Sequence, residues 1–202
     1  MAGANHKCEK SRGPFRPLLR WGTYLFFVSG TLAVGYAALI LAAGRIYQVR
    51  ELGEFNHEVV LPDSRVPPVG ESIGEIDIPS LALRAVVIQG SSAQVLRFGV
   101  GHLYGTPMPG ELGNVVLAGH RDTFFRPLRR IRVGDTILLR TGKQAFRYEV
   151  ESTAVVSPKD VYVLRSSDRN ELTLVTCFPF DYVGSAPKRF VVHARKTLVP
   201  AE

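Results

Sequence analysis

The sequence predicts an all-β domain carried behind one N-terminal transmembrane helix. Three observations lead there. A stretch of 24 residues between Arg20 and Arg45 holds no charge. From Gly74 onward the chain is a series of short apolar runs, rich in β-branched and aromatic residues and separated by turn signals. The basic charge sits almost wholly in the first fifty residues.

That last point excludes a function class. The formal charge is +7 over 202 residues. Residues 1–50 carry seven Lys and Arg against Glu9 alone, while the other 152 residues carry 18 basic and 17 acidic side chains. A nucleic-acid binder needs its basic stripe on the folded domain, and here the basicity flanks an apolar segment instead. A composition of 46% hydrophobic and 21% charged residues is globular, and the length suits one domain plus an anchor.

Residues 1–20 are read as a basic cytoplasmic N-terminus and residues 21–44 as the transmembrane helix. At about 1.5 Å per residue, 24 residues reach roughly 36 Å, enough for a hydrocarbon core of about 30 Å with some tilt. Trp21 and Tyr24 stand at the entry, where an aromatic belt is expected. Five Lys and Arg precede the segment and Arg45 and Arg50 follow it, so the N-terminus is expected inside and everything after Arg45 outside. "LAAG" at 41–44 offers a signal-peptidase site, but the apolar stretch exceeds an h-region of about 7–15 residues. The anchor is therefore expected to stay uncleaved.

Residues 45–72 are expected to be an extracytoplasmic linker, polar and ending in the proline-bearing "LPDSRVPPVG". The domain then fills 73–202. Its strands are read in "EIDIP", "LRAVVIQG", "NVVLAGH", "DTILLR", "AFRYEVESTAVV", "ELTLVTC" and "RFVVHARKT". One short helix is read in "SSAQVLRF", with Ser91 or Ser92 as its cap. Seven or eight strands in so short a domain imply a closed barrel or a sandwich, because closure removes exposed edges.

The chemistry centres on a thiol. The chain has two cysteines, and Cys8 lies on the cytoplasmic side, so Cys177 has no partner for a disulfide. A free cysteine is often a small buried apolar residue, but Cys177 ends the strand "ELTLVT", where side chains meet loops and solvent. A nucleophilic thiol needs an acid/base partner and a group for the developing oxyanion. Of five histidines, His6 and His57 lie outside the domain, His193 lies within the last strand and is read as packed, and His102 sits in the Gly-rich "FGVGHLYG". His120 ends "NVVLAGH" as Cys177 ends "ELTLVTC", and two strand ends can share one barrel mouth. The third group is either Asp122 or a cation such as Arg189, which opens the final strand. The run "RPLRRIR" at 126–132 is read as facing water. No acidic cluster suggests a metal, and no cofactor is expected.

These residues resemble a known family. "TLVTC" at 173–177, with an arginine twelve residues on at 189, resembles the TLxTC…R signature of sortases, membrane-anchored cysteine transpeptidases of bacterial surfaces. "GNVVLAGHRDTFFRPLRRIRVGDTI" at 113–137 resembles the segment bearing the sortase histidine, closest in wording to class D. "GHLYGTPMPGELGN" and "TCFPFDYVGSAPKRFVV" extend the likeness to about residues 73–195. The resemblance implies a closed eight-stranded β-barrel with short helices. It implies Cys177 as nucleophile, His120 as general acid/base and Arg189 as the carbonyl and oxyanion group. Leu174 and Thr176, on the strand of Cys177, are the candidate substrate-contacting residues. The implied partners are surface proteins bearing a C-terminal LPxTG-like sorting signal and an amine acceptor, either a cell-wall precursor or a pilin lysine.

Other readings compete. An L,D-transpeptidase would cluster His and Cys, which here stand 57 positions apart. A papain-like protease would carry its cysteine on a helix. A membrane-tethered binding module with a buried cysteine, or a hydrolase without transfer activity, fits the same pattern of strands.

Overall fold

The computed structural model describes residues 15–54, 67–142, 144–165 and 168–197. Cys8, His6, His57, the first part of the basic N-terminus and residues 55–66 of the expected linker lie outside the described residues. The chain divides into two compact units, one ending at Ala43 and one beginning at Gly44.

Helix α1 spans Phe15–Glu54. Its stretch Tyr24–Ala43 has 20 residues of mean hydropathy 2.1 and none of it is buried against protein, so it is long and apolar enough to cross a membrane. The described apolar side chains from Trp21 to Ile46 are exposed all round, with no polar face. Ser29 and Thr31 turn their hydroxyls back to the carbonyls of Phe26 and Phe27, which satisfies them inside the helix. The helix continues ten residues past Gly44, so the polar segment expected to be linker from residue 45 begins as helix.

The second unit is a closed barrel of eight strands in the order β1-β2-β3-β4-β7-β8-β6-β5. The strands are β1 Ser72–Ile78, β2 Leu83–Gln89, β3 Val100–His102, β4 Gly113–Ala118, β5 Thr136–Thr141, β6 Gln144–Val156, β7 Asn170–Phe178 and β8 Lys188–Lys196. Pairing of β1 with β5 closes it. Six of the eight pairings are antiparallel, while β2–β3 and β4–β7 are parallel.

Alternation explains the core. Leu83, Ala85 and Val87 of β2, Val115 and Leu117 of β4, Ile137 and Leu139 of β5, Tyr148 and Val150 of β6, Leu172 and Leu174 of β7, and Val192 and Ala194 of β8 all point inward. In β1 the inward residues Ile73 and Ile76 are three apart, an odd step that the bulge between Ser72 and Gly74 makes possible. Helix α2, Val95–Phe98, is the short helix read in "SSAQVLRF", and Ser92 Oγ accepts from the Val95 N–H at 3.3 Å. Strand β3 is the one strand absent from the apolar runs read in the sequence. Its three residues are too few to display a period.

Candidate functional site

Cys177 is held by two neighbours. On one side β7 pairs with β8, and Cys177 stands directly opposite Arg189. Directly opposed residues share a face, with Cβ atoms about 4.5–5.5 Å apart. Since Leu172, Leu174 and Thr176 fill the inward positions of β7, Cys177 and Arg189 look out of the barrel. Both are half-buried. The Arg189 guanidinium donates through one nitrogen to the carbonyls of Ala186 (3.1 Å) and Lys188 (2.9 Å). Its fork is thus braced against its own loop through Nη1.

On the other side β4 runs parallel to β7, with Ala118 level with Val175. Gly119 carries the pairing one step further by donating its N–H to the Val175 carbonyl at 3.1 Å. Continuing in that register puts position 120 level with position 177, on backbones about 5 Å apart. His120 is half-buried, and its carbonyl accepts from the N–H groups of Thr123 and Phe125, which turns the chain sharply after it. Gly119 has no room for a side chain, because a Cβ would lie 2.7 Å from the Phe125 ring. Phe125 is fully buried. Packing and two hydrogen bonds therefore fix where the histidine stands.

Two sequence candidates fall elsewhere. Leu174 is 0% exposed within the barrel core, and Thr176 is 2% exposed. Neither side chain offers surface to a bound peptide. Thr176 instead donates its hydroxyl to the Gly119 carbonyl at 2.7 Å, pinning the residue before His120 to the residue before Cys177. Asp122 directs its carboxylate to Arg121 Nε at 3.3 Å and is largely exposed, so it is engaged by that guanidinium.

The other described histidines have structural partners. His102 is buried between Gln89 (Nδ1 to Oε1, 2.7 Å) and the Pro107 carbonyl (Nε2, 2.9 Å), and desolvation pushes its pKa below the usual value. A neutral ring suits both contacts. Nε2–H donates to Pro107, and a half-turn of the Gln89 amide presents its nitrogen to Nδ1. That nitrogen is otherwise without a partner. His193 stands opposite Thr173, two pairs along the outer face from Cys177. Its Nδ1 is 3.1 Å from Thr173 Oγ1, which donates to Asn114 Oδ1 at 2.8 Å. Asn114 in turn donates to the Arg165 carbonyl at 3.2 Å, tying the β6–β7 connection to β4. Burial also lowers the pKa of His193, against opposing pulls from Glu171 and Glu151.

The run at 126–132 is mostly solvent-facing as expected, although Leu128 is buried and Arg129 pairs with Asp181. Sequence reasoning missed Arg121 altogether. It is 6% exposed and its guanidinium is spread over the carbonyls of Pro179, Tyr182 and Gly184. Nothing local in "GHRDT" marks that arginine as buried. An apolar depression lined by Val69, Ile88, Val95 and Phe98 lies beside α2, away from Cys177.

Comparison with known proteins matches the sequence and the fold to a family. A profile described as the Sortase domain matches residues 76–197. Sortase D of Bacillus subtilis strain 168 is 36% identical over 131 residues, covering 64% of this chain and 66% of that protein. Sortase A of Bacillus anthracis is 31% identical over 124 residues, covering 59% and 57%. The chain thus spans less than two thirds of these relatives. A Clostridium perfringens Sortase D5 transpeptidase superposes with TM-score 0.65 at 30% identity, covering 77% of this chain and 99% of that one. Streptococcus pneumoniae Sortase C gives 0.60 at 26% identity, covering 67% and 74%. With the profile spanning more than half of the sequence and the same barrel recurring in the solved relatives, the chain belongs to the sortase family.

Proposed function

We propose that this protein cleaves a C-terminal LPxTG-like sorting signal after its threonine and transfers the protein to an amine. The observation that supports the reading most is the pairing of Cys177 with Arg189 across β7 and β8. Cys177 and Arg189 are opposed on the outer face, and His120 lies two residues past Ala118, the last residue of β4 paired with β7.

Free cysteine and histidine have reference pKa values of about 8.5 and 6.5, so at pH 7 about 3% of such thiols are ionised and about 24% of such imidazoles are protonated. The reaction needs a thiolate and an imidazolium together. The Cys177 thiolate attacks the threonine carbonyl carbon. Negative charge moves to the carbonyl oxygen, which Arg189 meets with its N–H groups. As the C–N bond breaks, protonated His120 gives its proton to the leaving amine, and a thioacyl enzyme is left. An incoming amine then attacks the thioester. His120 takes the proton from that amine, and the Cys177 thiolate departs.

The acceptor is a cell-wall precursor amine or a pilin lysine, and the donor is a surface protein carrying the signal. The protein is read as a single-pass component of the bacterial cell membrane. Residues 1–20 are cytoplasmic, 21–44 span the membrane, 45–72 link, and 73–202 act outside. The test uses the full-length chain in detergent with a panel of sorting peptides and an added amine, read by mass spectrometry. An amide adduct, with a Cys177 thioacyl species trapped on the way, is the expected result. Cleavage without any adduct would make the protein a hydrolase, and no cleavage with a fully protected thiol would favour a binding module.

A further inference from the structure

The β7–β8 loop, residues 179–187, joins Cys177 to Arg189, yet it has little hold of its own. Residues 181–185 and 187 are exposed, with Val183 at 95%. Gly184 is at φ +97, a left-handed turn that sends the chain back toward β8. The start of the loop is anchored by aromatics, since Phe180 packs edge-on to Phe178 and Phe190. Beyond Phe180 the loop is gripped from outside.

The grip is Arg121, the residue after His120. Its Nη1 donates to the Pro179 carbonyl at 2.9 Å, and its Nη2 donates to the carbonyls of Tyr182 and of Gly184, the latter at 3.2 Å. Its guanidinium also lies 5.9 Å from the centre of the Tyr182 ring. One planar fork reaches three carbonyls spread over six residues, which a lysine ammonium cannot do in the same geometry. Arg129, from the same β4–β5 connection, adds an exposed ion pair to Asp181, which contributes little.

We infer that Arg121 is a positioning residue for the reaction: it holds the β7–β8 loop so that the Arg189 fork stays aimed across Cys177. The inference rests on the proposed roles of Cys177, His120 and Arg189. The link to Arg189 is direct, because the Arg189 guanidinium is braced on Ala186 and Lys188, within and just past the same loop. Releasing the carbonyls at 179, 182 and 184 frees the loop while the ladders of β4, β7 and β8 remain, since none of those bonds is in a ladder.

The experiment compares full-length wild type with Arg121→Gln, Arg121→Lys and Arg130→Gln, the last an exposed arginine of the same connection. Three readouts are taken: kcat and KM for transfer, thermal unfolding, and amide hydrogen exchange by segment. The expected result is a kcat about 10–100-fold lower in both Arg121 variants, with KM changed less than about threefold. Exchange should rise over 179–187 while β4, β7 and β8 keep their protection. Arg121→Lys should recover little, and Arg130→Gln should match wild type. Wild-type kcat in either Arg121 variant overturns the inference. So does loss of protection throughout the barrel, or failure of both variants to fold, because Arg121 would then be holding the domain rather than the loop. If wild type itself makes no amide adduct, the proposed function fails instead.

Discussion

Among the described residues, Glu75 and Arg121 are the two buried side chains of the carboxylate, lysine and arginine classes, and they are treated in opposite ways. Glu75 lies on β1, and opposite charges from both neighbouring strands answer it. Arg84 of β2 makes a two-pronged contact at 2.7 and 2.9 Å, and Arg140 of β5 reaches it at 2.8 Å and Asp77 at 3.2 Å. Both strands are already laddered to β1, so the cluster staples rigid parts. Arg121 lies at the other side, beside the mouth, and three of its contacts are loop carbonyls that no strand pairs. The difference teaches where to look for each kind of effect. On the β1 flank, charge secures the frame; at the mouth, charge sets the aim of a loop and the groups it joins. Substitutions on the flank should cost stability and spare turnover, while those at the mouth should do the reverse.

The largest effects belong to Cys177 and His120. Cys177→Ala should reduce transfer to background, with no thioacyl species. His120→Ala should lower kcat by about 10²–10⁴-fold, the usual worth of a placed acid/base, with thermal unfolding near wild type. Comparable loss in His102→Ala at wild-type stability would move the acid/base to the wrong side of the comparison. Next comes Arg189→Lys. It keeps charge but loses the fork, so kcat should fall by about 10²–10³-fold, the cost of one oxyanion donor. Lys188→Ala, a neighbour on the opposite face of β8, should be nearly silent. An Arg189→Lys enzyme as fast as wild type would remove the oxyanion role.

These mouth residues were unevenly legible in the sequence. Cys177 and Arg189 lie on strands adjacent in the chain, joined by a short loop, so a spacing of twelve residues brings them opposite each other. The proposed approach of His120 to Cys177 depends on the parallel pairing of β4 with β7, between segments 57 residues apart, which local pattern does not encode. Its assignment leaned on the strand-end position and on resemblance. Leu174 and Thr176 were misplaced because closeness in sequence to Cys177 was read as closeness to substrate, whereas the pleat of β7 turns both inward. The eight strands were visible as apolar runs, apart from β3, but their circular order was not. Arg121 was invisible because its burial is decided by carbonyls 58 to 63 residues further on.

The flank has its own prediction. Glu75→Gln removes the charge but leaves the shape. Arg84 and Arg140 are partly exposed, with side chains 54% and 39% accessible, so water can take up their lost pairing. The cost should therefore be that of charged hydrogen bonds, about 1.5–3 kcal/mol, rather than that of a stranded buried cation. Denaturant unfolding should show it, while kcat and KM stay within about twofold of wild type. A drop in kcat as large as that expected of Arg189→Lys would mean the two regions are coupled and the contrast between them is false.

The smallest effect expected is one of pH, and it separates stability from turnover by titration. His102 and His193 are held below the ordinary histidine pKa, in each case chiefly by desolvation. The unfolded chain therefore binds protons that the folded chain refuses. Stability from these groups is complete above the unfolded value of about 6.5, and it is lost as pH falls through that value toward the folded ones. Thermal unfolding temperature should drop between pH 7 and pH 5. In His102→Gln the absolute value will be lower because the Pro107 contact changes, so the informative quantity is the slope. That slope should be flatter than in wild type over the same interval. The pH dependence of kcat/KM should keep its shape in this variant, because His102 is not among the groups proposed to move protons in turnover. Equal stability slopes would mean that His102 is not kept neutral by the fold, and an altered activity profile would mean that it acts at the mouth after all.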